Sequence, residues 1–345
     1  MRAMVIRPGV AGSASVAELE GPVGEGDVLV DGLAVGICGT DVEIADGAYG
    51  TAPPGAEFLV LGHESLGRVV AAPQDSGLAV GDLVVGIVRR PDPVPCPPCG
   101  VGAWDMCQNG GYTERGIKGL HGYGAEQWRV EAGFAVRVDP GLGSLAVLLE
   151  PASVVAKAWD HIERILARAP LSPKRVLVTG AGPIGLLAAL LATQRGFDVH
   201  VLDLVTDGPK PELAAALGAS YHSGAVVDVP EPDIVLECTG APAVVLDVIE
   251  HNALAGVVCL TGVSSGGREL PVDAGAVNRR LVLQNDVVFG SVNANRAHYD
   301  AAACALSAAD PVWLSGLITR RVPLESWADG LQQQPNDVKV VVELG

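Results

Sequence analysis

The sequence predicts an α/β protein in two parts: a β-rich, barrel-like unit, then a doubly wound parallel sheet. Three observations predict it. Over residues 1–150, short apolar runs such as "GDVLVDGLAVGICG" and "GDLVVGIVRR" are broken by Gly and Pro at turn spacing. From about residue 150, strand-like and helix-like stretches alternate, the pattern of repeated βα units. The glycine-rich turn "VLVTGAGPIGLL" stands at the first strand–helix junction of that second part.

Composition agrees. A chain of 345 residues, 49% hydrophobic, is too long for one small core and suggests two domains. No uninterrupted apolar run reaches about 18 residues, so no membrane span is expected. The start, "MRAMVIRPGV", lacks the apolar core and small-residue cleavage site of a signal peptide, which points to the cytoplasm. The 7 cysteines, an odd number with three clustered, read as metal ligands and buried thiols rather than a disulfide framework. With 23 basic against 40 acidic residues the net charge is −17, a poor surface for nucleic acid or anionic membranes. The only lysines are Lys118, Lys157, Lys174, Lys210 and Lys339, a skew that fits either the base composition of the source genome or a salty cytoplasm.

In the second part, "KRVLVTG" predicts a strand and "PIGLLAALLATQRG" a helix ended by Gly196. The strand "DVHVLDL" follows, then a helix near 211–217, the strand "DIVLECTG", a helix near 242–254 and the strand "GVVCLTGV". Beyond about residue 290 the pattern is mixed, and "DVKVVVEL" is a strand that could return to the first domain.

Gly180, Gly182 and Gly185 form G-x-G-x-x-G after a strand and before a helix. The first permits a tight turn and the second a close approach of backbone to a pyrophosphate. The third lets helix and strand pack closely, and the helix N-terminus attracts the anion. Asp203 ends the next strand, where a carboxylate binds ribose hydroxyls and repels a 2′-phosphate, favouring NAD over NADP. The alternative is that Asp203 caps a turn while Lys210 supplies a cation for the phosphate. Pro183, Ile184 and Thr239 are further candidates for the cofactor.

A nicotinamide site gives meaning to "GICGTD" and "LGHESLG". Cys38, His63, Glu64 and, later, Glu150 in "VLLEPAS" are the thiolate, imidazole and carboxylate set that a catalytic zinc uses. Such a zinc takes about three protein ligands and an exchangeable position, where it makes a hydroxyl acidic. An alcohol carbon gives up hydride readily once its hydroxyl has lost a proton. Singly, these side chains would be a buried cysteine and a satisfied core histidine.

"GICGTD", "LGHESLG", "VRRP" with its cysteines, "YTERGIKGLHGYGAEQW", "LLEPASVV", "TGAGPIG" and "GSVNAN" occur in this order along almost the whole chain. The sequence resembles the zinc-dependent medium-chain dehydrogenase/reductases, and most their microbial glucose 1-dehydrogenase branch. The resemblance implies a GroES-like catalytic domain over 1–155, completed by 291–345, and a Rossmann domain over 156–290, in a homodimer or homotetramer. It makes Cys38 and His63 zinc ligands. Glu64 and Glu150 stand where the family places a third ligand, direct or through water, and sugar contacts. Thr40 would exchange a proton near the reacting oxygen, with Glu64 a possible member of the relay. Glu114 would bind sugar hydroxyls, and Asn293 would lie near nicotinamide and sugar. Against these, Glu114 could pair with the adjacent Arg115 at the surface, and Asn293 could be a turn residue.

The sequence also departs from that family. Its structural-zinc lobe carries C-x2-C-x2-C-x7-C, of which Cys96, Cys99 and Cys107 match the last three, while Pro93 stands at the first position. Asp92 is a candidate fourth ligand through oxygen; the alternative is a lobe held by packing with free thiols. Val88 replaces an Asn of the branch, and Gln284 a His expected near the sugar. Cys238, Cys259 and Cys304 are expected in the core, and His121, His222 and His298 in structural or surface roles. The activity expected is hydride transfer from the anomeric carbon of an aldose, glucose first, to NAD(P), giving an aldonolactone. A dehydrogenase of another polyol, an aminocyclitol or a secondary alcohol is the alternative within enzymes. A non-catalytic NAD(P)-binding protein is the alternative outside them.

Overall fold

Residues 28–37, "VLVDGLAVGI", mix β-branched side chains with glycines that other backbone can approach closely, and so make a strand usable on both edges. In the computed structural model, which describes residues 1–264 and 269–345, Val28–Ile37 is the spine of a 7-stranded sheet. Glu64–Ala71 and Lys339–Glu343 flank it antiparallel, and Gln127–Val130 pairs with its first half. Leu83–Gly86 and Ala135–Arg137 extend the sheet on one side, and Ile318–Pro323 on the other. The last strand thus pairs Val340 with Ile37 and Val342 with Val35. The chain divides into Met1–Ser153 with Asn293–Gly345, and Val154–Val292.

The first unit holds two apolar clusters, one including Ile6, Val35, Ile37 and Trp327, the other Val28, Val30, Tyr123 and Trp128. Val88 is buried in the first cluster. The unit is not purely β. Cys38 caps a short helix, Gly39–Ala45, and Asp41 returns a bond to the Cys38 amide at 3.0 Å, closing a capping box.

The second unit is a 6-stranded parallel sheet in the order Ser220–His222, Asp198–Leu202, Arg175–Thr179, Ile234–Glu237, Val257–Leu260, Val287–Gly290. This is the 3-2-1-4-5-6 order of the Rossmann fold, with its switch point between Arg175–Thr179 and Ile234–Glu237. Pro183–Gln194 is the helix after the glycine turn, and Gly196 leaves it at φ 79°. The helix expected to reach residue 254 stops at Glu250, where His251 donates through Nε2 to the Val229 carbonyl at 2.6 Å. Ser220–His222, Ala274–Gln284, Val287–Gly290, Arg296–Ser307 and Pro311–Leu317 carried no clear sequence signal. Cys259 is buried, but Cys304 is exposed on the helix Arg296–Ser307 and is not a core residue. Pro140–Leu166 is long and apolar enough by composition to cross a membrane; most of it is covered by protein, with Glu150 and Lys157 among its buried residues, so it is a core segment.

Gly185 states the packing limit of the glycine turn. A Cβ there would lie 1.8 Å from the Gly180 carbonyl oxygen, backbone that has no rotamer to change. Gly185→Ala is therefore expected to lower stability by about 1–3 kcal/mol, as overpacking does. The check is the urea midpoint at constant m-value, and an unmoved midpoint would refute the close contact.

Candidate functional site

Cys38 ends the spine strand and caps a helix, so its thiol faces the first backbone amides, with Thr40 N donating to Sγ at 3.3 Å. Gly62, at φ 92°, turns the chain so that His63 arrives opposite. Cys38 Sγ and His63 Nε2 are 3.0 Å apart, and one Glu64 carboxylate oxygen joins them in a set whose atoms all lie within 4.8 Å. Sulfur, imidazole and carboxylate are zinc donors, so the set fits that ion. Asp41 was not singled out from the sequence. It is fully buried, and its Oδ1, without a hydrogen-bond partner, lies 3.5 Å from His63 Nδ1, where a carboxylate orients a ligating imidazole. Burial opposes a charge on His63, but Cys38 and Asp41 outweigh it and hold the imidazole well above its ordinary pKa.

Glu64 has a second partner that sequence reasoning missed. Lys339 Nζ donates to its two oxygens at 2.7 and 2.6 Å and to the Ile37 carbonyl at 3.0 Å. Both side chains are buried, at 2% and 1% exposure. Burial opposes the lysine charge, but Glu64 and Cys38 more than compensate and raise its pKa. A lysine at an inward position of "DVKVVVEL" was the available signal. Glu150 is buried nearby and is not one of the three clustered donors. Burial pushes its pKa up to about 7, against the pull of His63 and with the help of Glu64.

Glu114 and Asn293, far apart in sequence, meet: Asn293 Nδ2 donates to Glu114 Oε1 at 2.9 Å. The pairing of Glu114 with Arg115 does not form. Glu114 is buried against Arg89, while Arg115 donates to the carbonyls of Glu25 and Arg129. Asn293 takes φ 63°, a left-handed conformation that asparagine tolerates. His121 is structural, accepting from Val60 N at 3.1 Å and stacking on Phe58.

In the lobe, Cys96, Cys99 and Cys107 converge within 4.8 Å. Gln108 N donates to Cys96 Sγ at 3.3 Å, an amide aimed as a ligating thiolate needs. The Asp92 carboxylate does not join them. Its Oδ1 accepts from Val94 N at 2.8 Å, and its other oxygen lies against Gly111, so the chain turn uses it instead. Among the described residues no fourth Cys, His, Asp or Glu atom completes the set.

In the second unit, Gly180 turns at φ 88°, and a Cβ on it would meet Thr239 Cγ2 at 3.0 Å, so Thr239 borders the turn. Gly182, followed by Pro183, Ile184 and Gly185 in the helix, has open space where a Cβ would be, at a helix N-terminus of the kind that receives an anion. Asp203 accepts from Ala181 N at 2.7 Å and Val205 N at 3.0 Å, and Lys210 Nζ lies 3.2 Å from it. Burial opposes its charge, but the Val205 and Ala181 amides and Lys210 hold its pKa below the ordinary range. Asp203 thus caps the turn after its strand, with Lys210 beside it. Glu237, fully buried at the end of Ile234–Glu237 on the other side of Arg175–Thr179, accepts from Thr179 Oγ1 and the amides of Thr239 and Gly240.

Comparison with known proteins gives a consistent picture. Residues 24–140 match the family model of the alcohol dehydrogenase GroES-like domain, and residues 143–344 that of the glucose dehydrogenase C-terminus. The chain is 39% identical to a glucose 1-dehydrogenase of Methanocella arvoryzae, over 100% of both chains. It is also 39% identical to one of Thermoproteus tenax, covering 100% of this chain and 99% of the other. Among solved structures it resembles Haloferax mediterranei glucose dehydrogenase in complex with NADP, Zn and gluconolactone. That match has a TM-score of 0.92 and 32% identity, over 100% of this chain and 99% of that one.

The buried Glu64–Lys339 pair yields a direct test. Removing the ammonium leaves a carboxylate without its partner, which costs about 3–5 kcal/mol. Lys339→Met is expected to lose that much in urea unfolding, and Glu64→Gln in the same chain to recover part of it. A Lys339→Met protein as stable as the parent would show that the pair contributes nothing.

Proposed function

This chain belongs to the glucose dehydrogenase family, and from that premise we propose that it is a zinc-dependent, NAD(P)-linked aldose 1-dehydrogenase acting on glucose. The observation that carries this reading is the Cys38–His63–Glu64 cluster, in a chain that also keeps the glycine cradle and Asp203. Hydride leaves C1 of the sugar for C4 of the nicotinamide, the hydroxyl proton goes to solvent, and the products are aldonolactone and NAD(P)H.

Cys38 and His63 would hold the zinc, with Glu64 or Glu150 as the third ligand. When bound, that ion supplies the positive charge that makes a substrate hydroxyl acidic. Asp41 holds His63 in the orientation that turns Nε2 to Cys38. Lys339 offsets the negative charge of Glu64, and burial raises the pKa of Glu150. Thr40, in the first turn after Cys38, passes the released proton towards solvent. Glu114 and Asn293 bind sugar hydroxyls, and the buried apolar Val88 offers none of the hydrogen bonding that an Asn would. Val88 is also the observation that favours a second reading, a polyol or secondary alcohol with fewer hydroxyls to match.

A panel of aldoses, polyols and secondary alcohols, each with NAD and NADP, tests substrate and cofactor together. D-Glucose is expected among the fastest substrates, with kcat/KM higher for NAD than for NADP. Asp203→Ala should narrow or reverse that cofactor ratio by about tenfold, the effect of removing one charge repulsion of about 1.4 kcal/mol. Turnover of polyols alone would move the assignment to the second reading. A strong NADP preference in the parent would mean that Lys210 governs the ribose site.

Metal content tests the two cysteine sets separately. The three lobe thiols would hold a second zinc, so protein purified without chelator should contain about two zinc per chain. Cys99→Ser should remove one and spare turnover chemistry, and Cys38→Ser should remove the other and abolish it. One zinc in the parent, insensitive to Cys99→Ser, would leave the lobe to packing alone.

A further inference from the structure

Arg89 has no part in the chemistry above, yet it is one of the most constrained cations in the first unit. It is buried, at 5% exposure, and each nitrogen of its guanidinium donates a hydrogen bond. Nε and Nη2 donate to Glu114 Oε1 at 3.1 and 2.9 Å, and Nη1 donates to the Asp105 carbonyl at 3.1 Å. The Tyr112 ring lies 3.8 Å from the guanidinium carbon and is itself covered by Lys118 at 4.0 Å. Asn293 Nδ2 donates to the same Glu114 Oε1 at 2.9 Å. All three donors converge on one oxygen. Glu114 Oε2 accepts from none of them.

We propose that Arg89 is a positioning residue: by occupying Glu114 Oε1 together with Asn293, it presents Oε2 alone, in one direction, to a sugar hydroxyl. The inference rests on the reading that Glu114 binds such a hydroxyl. A carboxylate with both oxygens free accepts hydroxyls from several directions and discriminates little. One whose first oxygen is saturated offers a single geometry, and a substrate lacking that hydroxyl leaves a buried acceptor unmet. The guanidinium fork is needed because a lysine offers a point charge that fixes no plane.

The test compares Arg89→Lys and Tyr112→Leu, which withdraws the ring beneath the guanidinium, with the parent. The substrates are the best aldose and its series of monodeoxy analogues. Arg89→Lys is expected to raise KM for the aldose about tenfold, the equivalent of one well-placed hydrogen bond. It should leave kcat within about threefold and KM for the dinucleotide unchanged. Tyr112→Leu should move KM in the same direction by less. In the parent, one deoxy analogue has a much higher KM than the aldose; in Arg89→Lys that ratio falls towards one. A role in folding alone would lower Tm, change kcat and both KM values, and leave the deoxy ratio as it was, which would overturn the proposal. Glu114→Gln, run in parallel, separates the two ideas. If it leaves every deoxy ratio at the parent value, the hydroxyl role of Glu114 falls, and the positioning role with it. If it collapses a ratio that Arg89→Lys and Tyr112→Leu both preserve, the positioning role alone falls.

Discussion

The first unit depends on the buried ion pair between Glu64 and Lys339. The carboxylate stands directly beside a thiol and an imidazole, and in that apolar setting its charge needs a partner. Lys339 supplies it with all its bonding directed inward, two contacts to the carboxylate and one to the Ile37 carbonyl. Gly36 makes the room, since a Cβ there would lie 2.0 Å from Glu64 Oε2. The pair also pins register. A slip of one residue in Lys339–Glu343 would turn Lys339 to the opposite face and leave Glu64 uncompensated. In this way a strand at the far end of the chain becomes part of the site formed by residues 38–64.

The second unit organises its ligand-facing edge by other means. There the backbone does most of the shaping, and carboxylates serve as collectors of amide bonds. Asp203 gathers the Ala181 and Val205 amides, which ties the glycine turn to the end of the next strand. Glu237 gathers the amides of Thr239 and Gly240, fixing the turn on the other side of the switch point. Lys210 beside Asp203 places both signs of charge at the end of that strand.

The cysteine lobe is built into the first unit, not hung from it. Asp105, two residues before Cys107, receives Arg89 on its carbonyl and Asn295 on its carboxylate. Arg89 holds Glu114, and Asn295 follows Asn293 by two residues, so both arms of the polar network around Glu114 lead back to the lobe. A lobe that lost its shape would loosen both arms together.

The fold class was legible because it rests on local patterns. The βα alternation and the glycine spacing in "TGAGPIG" need only near neighbours to be read. Cys38 and His63 stood out because thiol and imidazole are uncommon together in apolar sequence. The helix Gly39–Ala45 escaped notice because a cysteine is an unusual cap, and Ala274–Gln284 because none of its residues is buried to give it a periodic face. What lay beyond the sequence were the partners. Lys339 and Glu64 are 275 positions apart and Asn293 and Glu114 179. Strand pairing brought Lys339 to Glu64 through Val28–Ile37, which both strands flank, while Asn293 reached Glu114 from the loop before Arg296–Ser307. Arg115 is the neighbour of Glu114 in sequence, but successive strand residues point to opposite faces, and so the structure gave Glu114 to Arg89. Asp92 shows the same principle in reverse: its position beside the cysteines suggested a ligand, and the turn through Val94 claimed its carboxylate first. By itself the sequence determined which groups were available and which elements carried them. Only the tertiary structure decided which groups face one another, because that depends on register and rotamer rather than on distance along the chain.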